Sequence, residues 1–267
     1  MKMKIVTDSA CDRIVTAGTR IEIVPLRNDI HIQTDAAVDS AVRDWLDAFG
    51  DAEAVFCLTL SGRMSGSYAN ALQAKEIYEH KYPKRCVYLL DSRTAGPEMT
   101  LLLERTQQLM EIGMPTEMVC RTIGCYRDQT RMLYALESAE RITRSGRLSC
   151  DGLNGVGTMG IRLIGRVSRC GSLLTLGKSR GGKNTRCALL EQMDRMGYSG
   201  GKVIISHCEN LNGAVELMRM IRTRYGAVDV RIMNAGETCS YYAQKGALMI
   251  GMEVSAERPA ENAKKPA

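Results

Sequence analysis

The chain has 267 residues, 45% apolar and 25% charged, with a formal net charge of +6. That profile suits one large or two medium globular domains. No run of about 18 apolar residues reads as a membrane span, and the start, Met1-Lys2-Met3-Lys4-Ile5-Val6-Thr7-Asp8, lacks the apolar core of a secretory signal. Ten cysteines with no C-x-x-C pair read as free thiols in a reducing cytoplasm, three histidines give no reason to expect a metal, and two Phe and one Trp leave few platforms for nucleic-acid bases.

Lys4 to Thr7 reads as a first, central strand, followed by Thr7-Asp8-Ser9, where open α/β sheets bind ligands or where a helix is capped. Ile21 to Leu26 reads as a second strand closed by Pro25. Val38, Val42, Trp45, Leu46 and Phe49 then share one helical face, with Thr34 or Asp35 opening the helix. Ala54 to Leu60 is a strand that runs into Ser61-Gly62-Arg63-Met64-Ser65-Gly66-Ser67, and Tyr68, Leu72, Ile77 and Tyr78 follow at helical spacing. A strand, a Ser/Gly loop and a helix start suit an anion, because the first helical turn leaves backbone N–H groups unpaired and glycines admit a ligand to the main chain. The same serines also suit a plain helix cap. Cys86 to Leu90 is the next strand, ending in Asp91-Ser92, and the β, β, α, β, α, β order implies a mostly parallel sheet.

Met99 to Glu111 and Thr116 to Asp128 read as helices, and Met132 to Leu136 as a short strand. Arg141 to Ser149 places Arg141, Arg144 and Arg147 around a Ser-Gly turn, as a ligand or partner contact or as a solvated basic turn. Gly152, Gly155, Gly157 and Gly160 read as a flexible junction between domains. Ile164 to Ser168 and Ser172 to Leu176 flank a hairpin turn. Lys178-Ser179-Arg180-Gly181-Gly182-Lys183 leads into a helix through Met196. Strands follow at Lys202 to His207, Val228 to Met233 and Ala247 to Val254, with a helix around Leu217, and the tail from Ser255 has nothing to bury.

In order and spacing, Ile5-Val6-Thr7-Asp8-Ser9, Val24-Pro25-Leu26, Leu58 to Tyr68, Asp91-Ser92, Ser145-Gly146-Arg147-Leu148, Lys178 to Lys183 and His207-Cys208-Glu209-Asn210 resemble the DegV family of bacterial fatty-acid-binding proteins. The resemblance implies an α/β fold of two domains. A Rossmann-like parallel-sheet domain over residues 1–155 carries the carboxylate-binding loop. An α+β domain with an antiparallel sheet, residues 156–254, closes over the acyl chain, and a disordered tail spans 255–267. It implies a cytoplasmic lipid-binding protein with no cofactor and no catalysis of its own. Such a protein presents one long-chain fatty acid to a separate fatty acid kinase, for acyl phosphate and phospholipid synthesis, with transient membrane contact allowed.

Carried over residue by residue, the resemblance implies that Ser61, Gly62 and Ser65 hold the carboxylate, with Tyr242 beside them, and that Arg180 and Arg147 contact ligand or partner. Three departures stand out. The Thr-Ser-Gln-Pro segment is missing between Ile32-Gln33-Thr34 and Ala54, Gly62 replaces a loop serine, and Tyr242 replaces a histidine, with Ala243-Gln244-Lys245-Gly246 after it in place of Gly-Pro-Gly. On the residues alone, a binding protein for another anionic metabolite or a phosphotransfer component stays open, although no G-x-x-x-x-G-K-S/T loop is present.

Overall fold

The computed structural model describes residues 3–12, 21–26 and 35–255. The stretch around Ile32-Gln33-Thr34 and the tail beyond Ser255 lie outside the described residues. Strands β1 (Met3–Asp8), β2 (Ile21–Val24), β3 (Ala54–Thr59) and β4 (Cys86–Asp91) form a parallel sheet in the order β2-β1-β3-β4, with β1 inside it as the pattern predicts. Both faces of that sheet are covered, which is why its strands read as apolar runs rather than alternating ones. Helices α1 (Asp35–Phe49) and α2 (Ser67–Lys81) bury Trp45, Phe49, Ala71, Ala74 and Tyr78 with Val6, Val55 and Cys57 on one face. On the other face, α3 (Gly96–Glu111) and α4 (Thr116–Asp128) pack Met99, Leu102, Val119 and Ile123 with Ile5, Phe56 and Leu58.

The second sheet has six strands: β5 (Thr130–Leu136), β6 (Ile161–Val167), β7 (Leu173–Arg180), β8 (Val203–His207), β9 (Val230–Asn234) and β10 (Leu248–Glu253), in the order β7-β6-β5-β10-β8-β9. Every pairing is antiparallel except β8 with β9. The chain therefore passes from the first sheet to the second between β4 and β5, and the glycines from Gly152 to Gly160 fill hydrogen-bonded turns ahead of β6. The outer face of this sheet carries α6 (Gly182–Arg195) and α7 (Leu211–Tyr225), which bury Leu189, Met193, Leu217 and Ile221 against Leu133, Ile205 and Ile250.

Helix α3 lies between the two sheets, and twelve of its sixteen residues are buried, as expected of a helix covered on all sides. Its start presses on β10: a Cβ at Gly251 would stand 2.4 Å from the Glu98 nitrogen, so only glycine fits there. Two short helices, α5 (Glu140–Arg144) and α8 (Glu237–Ala243), escape the periodicity because five and seven residues show too little of a 3.6-residue repeat. Strand β7 runs four residues past the expected Leu176, to Arg180, staying paired with β6 across a register shift at Ile164/Gly165.

Candidate ligand site between the two sheets

The loop after β3 is held from beneath by Asp8, at the end of β1. One carboxylate oxygen accepts from the Leu60 N–H at 2.7 Å and the Ser67 hydroxyl at 2.6 Å, and the other from the Ala10 N–H at 3.2 Å. Full burial pushes the Asp8 pKa up to about 6, against the pull of those bonds. Asp8 thus locks the loop to the sheet edge.

Most of the loop's own donors are engaged. The Ser61 hydroxyl donates to the Gly171 carbonyl at 2.8 Å and accepts from the Arg63 N–H at 3.2 Å. The Gly62 N–H donates to Asp91 at 3.2 Å, and the Met64 and Ser65 N–H groups donate to the Ser61 carbonyl. The Ser65 oxygen accepts from the Ser67 N–H at 3.2 Å, while Gly66, the residue that opens α2, makes no side-chain cap. Ser61 ties the first sheet to the β6–β7 turn. Gly171 there has φ +90°, and a Cβ on it would stand 2.1 Å from the Ser61 oxygen.

Below the loop, between the sheets, lies a largely apolar cavity. Leu60 and Met64 roof it from the loop, Met132, Tyr134 and Leu136 wall it from β5, and Thr238, Cys239 and Tyr242 line it from α8. Among the described residues, one charged side chain enters it: Arg147. Its Nε donates to the Met64 carbonyl at 2.5 Å, its guanidinium stacks 4.5 Å from the centre of the Tyr242 ring, and its Nη1 is buried with no hydrogen-bond partner among the described residues. Burial raises the Tyr242 pKa and the Arg147 charge pulls it back. Arg141 stacks in the same way on Tyr241, at 4.5 Å, and donates to its carbonyl, so two Arg–Tyr pairs clasp α5 and the turn after it to α8.

The structure therefore divides the expected site residues. Arg147 and Tyr242 meet inside the cavity, directly beneath Met64. Ser61 is buried just outside its lining, Ser65 is half-buried, and Gly62 is exposed on the outer side of the loop. Arg180 is exposed at the far end of β7, about 23 Å from the Gly171 turn for seven residues of strand rise. His207-Cys208-Glu209-Asn210 is a helix start: Asn210 accepts from the Gly213 N–H at 3.3 Å and donates to the Gly246 carbonyl at 2.7 Å. The sequence reading missed the β5 wall, although Met132, Tyr134 and Leu136 sit at the two-residue spacing that puts them on one face. It also missed α8 as a wall.

A family model described as "Uncharacterised protein, DegV family" matches residues 26–254. The chain belongs to the DegV family. A DegV domain-containing protein from Streptococcus pneumoniae is 30% identical over 280 residues, covering 95% of this chain and all of the relative. Two solved DegV structures align closely. One is a DegV family protein from Eubacterium eligens loaded with heptadecanoic acid, 33% identical with a TM-score of 0.86, covering 95% of this chain and 100% of that one. The other is the Streptococcus pneumoniae Fatty Acid Kinase B3 protein loaded with linoleic acid, 29% identical with a TM-score of 0.85, covering 96% and 100%. Among the described residues of this DegV protein, no helix is long and apolar enough to cross a membrane.

Proposed function

We propose that this DegV protein binds one long-chain fatty acid in the cavity between its sheets, with the carboxylate at Arg147 beneath the Ser61–Ser65 loop. The observation that carries the reading is the buried, unpaired Nη1 of Arg147 in an otherwise apolar chamber. A cation there is costly unless an anion meets it, and a carboxylate on an alkyl chain supplies the anion and fills the apolar space together. The relatives loaded with heptadecanoic and linoleic acids support the ligand class. Tyr242 cannot carry the positive charge of the histidine it replaces, and Arg147 carries that charge instead. Burying an acyl chain gains about 0.8 kcal/mol per methylene, so roughly 15 methylenes gain on the order of 10 kcal/mol before ordering costs.

In this reading the protein does no chemistry itself. It presents the carboxylate to a separate fatty acid kinase, which forms the acyl phosphate; the likeness to the Fatty Acid Kinase B3 protein supports that role. Arg180, exposed and away from the cavity, then serves kinase contact rather than the ligand. Native mass spectrometry of protein purified from cells tests the ligand: a co-purified long-chain acid, replaced by palmitate or oleate after delipidation, is expected. A protein that is isolated empty and is stabilised only by a short carboxylate or a phosphate ester overturns it.

A further inference from the structure

Tyr134 stands in the middle of the β5 wall of the cavity, and its ladder partner on β6 is Gly165, so the two positions face the same side of the sheet. The phenol ring lies across that glycine: a Cβ on Gly165 would stand 2.2 Å from the Tyr134 Cζ and 2.3 Å from its hydroxyl oxygen. The hydroxyl reaches on to β7 and donates to the Leu174 carbonyl at 3.0 Å, next to the register shift in the β6–β7 ladder. Strand β7 is two strand spacings from β5, about 9.6 Å, a span that a tyrosine covers only by lying along the sheet rather than standing up from it.

The Gly165 backbone lies outside the left-handed region, so the position uses the missing side chain and not an unusual φ. Glycine inside a strand weakens it and marks a place that something approaches closely; here that is the Tyr134 ring. Pushed off Gly165, the ring has one way to go. Met132 and Leu136 flank it on the same face of β5, Met249 stands opposite it on β10, and the sheet backbone lies beneath. It would rise into the cavity. Among the described residues, Tyr134 and Tyr242 are the aromatic rings on the cavity wall, and Tyr242 is held by Arg147. Met64, Met132 and Met249 also line the space, with unbranched side chains that adapt to an irregular ligand.

We propose that the Gly165–Tyr134 pair sets the width of the cavity and thereby selects acyl chains bent by a cis double bond. This inference rests on the acyl reading and deepens it. A straight chain needs little room beside its axis, whereas a cis bend sweeps a wider cross-section and needs the space that the lowered ring leaves free. The glycine keeps the ring down, the Leu174 carbonyl holds it there by its hydroxyl, and the three methionines close around the bend. Gly165 touches no ligand in this account; it acts through the position of Tyr134.

Oleate and elaidate share length and composition and differ only in the bend, so their affinities for the delipidated full chain test the pair. The native protein is expected to bind oleate at least threefold more tightly than elaidate. Gly165→Ala should reverse that preference, with oleate affinity falling at least tenfold and elaidate affinity less than threefold. Adding Tyr134→Leu, which removes the ring, should restore oleate binding. Tyr134→Leu alone, which does not depend on the alanine being tolerated, should raise the oleate-to-elaidate ratio above the native value. A native protein that favours elaidate or neither acid, a ratio that Gly165→Ala and Tyr134→Leu both leave unmoved, or an alanine loss that Tyr134→Leu fails to restore overturns the proposal and leaves the acyl reading standing. A native protein that binds neither acid overturns the acyl reading and this one with it.

Discussion

The two sides of the upper end of the cavity between the sheets are built on opposite plans. On the loop side, Ser61, Gly62, Met64 and Ser65 spend their donors on Gly171, Asp91 and each other, with Asp8 locking the base. On the α5–α8 side, Arg147 keeps one buried nitrogen unpaired while its flat face rests on Tyr242. The difference teaches that a signature loop can be mainly a shape, whereas the charge proposed to meet the carboxylate comes from Arg147, 83 residues after Met64. The expected order of damage follows from it.

Arg147→Gln is the largest loss. A hydrogen bond to a charged group contributes about 1.5–3 kcal/mol, so long-chain fatty acid affinity should fall about tenfold to a hundredfold by fluorescence or calorimetry, while Ser65→Ala costs far less. Equal losses from the two variants would break the comparison. Gly171→Ala is next. It places a side chain at φ +90° against the Ser61 oxygen, and a cost of about 1–3 kcal/mol should appear as a lower Tm, with fatty acid affinity falling less than in Arg147→Gln.

The pH dependence of stability should run against habit. Burial raises Asp8 and Asp12 from 3.8 to about 6 and Glu98 from 4.5 to about 7. The folded chain therefore binds more protons than the unfolded one between about pH 4 and 7, and these groups lose stability for the fold as pH rises through that window. The Tm should climb from pH 7.5 to pH 5, and Glu98→Gln should flatten the part of the curve nearest neutrality. A Tm that falls steadily over the same range contradicts the protonated carboxyls. Smaller again is Tyr242→Phe, which keeps the ring under Arg147 and should change affinity less than about threefold, since the stacking is worth ~0.5–2 kcal/mol. Arg180→Ala should leave fatty acid binding unchanged, with any effect confined to acyl phosphate formation with a kinase.

How legible this was depends on the element. The parallel sheet showed plainly because β1 and β3 are apolar runs buried on both faces, and α4 began and ended where its pattern did, at Thr116 and Asp128. The ligand loop was legible as a motif, but its internal bonding was not: that Ser61 donates to Gly171, 110 residues away, is a tertiary fact with no local signal. Arg147 was visible as one of three arginines in a turn and, through the family resemblance, as a ligand or partner contact. What separates it from Arg141, which spends its charge on the Tyr241 carbonyl, is α8, a helix too short to read.

The central claim is that the Arg147 charge receives a fatty acid carboxylate inside the cavity. Palmitate labelled with ¹³C at the carboxyl, bound to the delipidated protein and followed by NMR at neutral pH, tests it most directly. The account predicts an ionised carboxyl shift in the native protein, and in Arg147→Gln either a move towards the protonated acid or loss of the bound signal. An identical carboxyl shift and an identical affinity in the two proteins would contradict it.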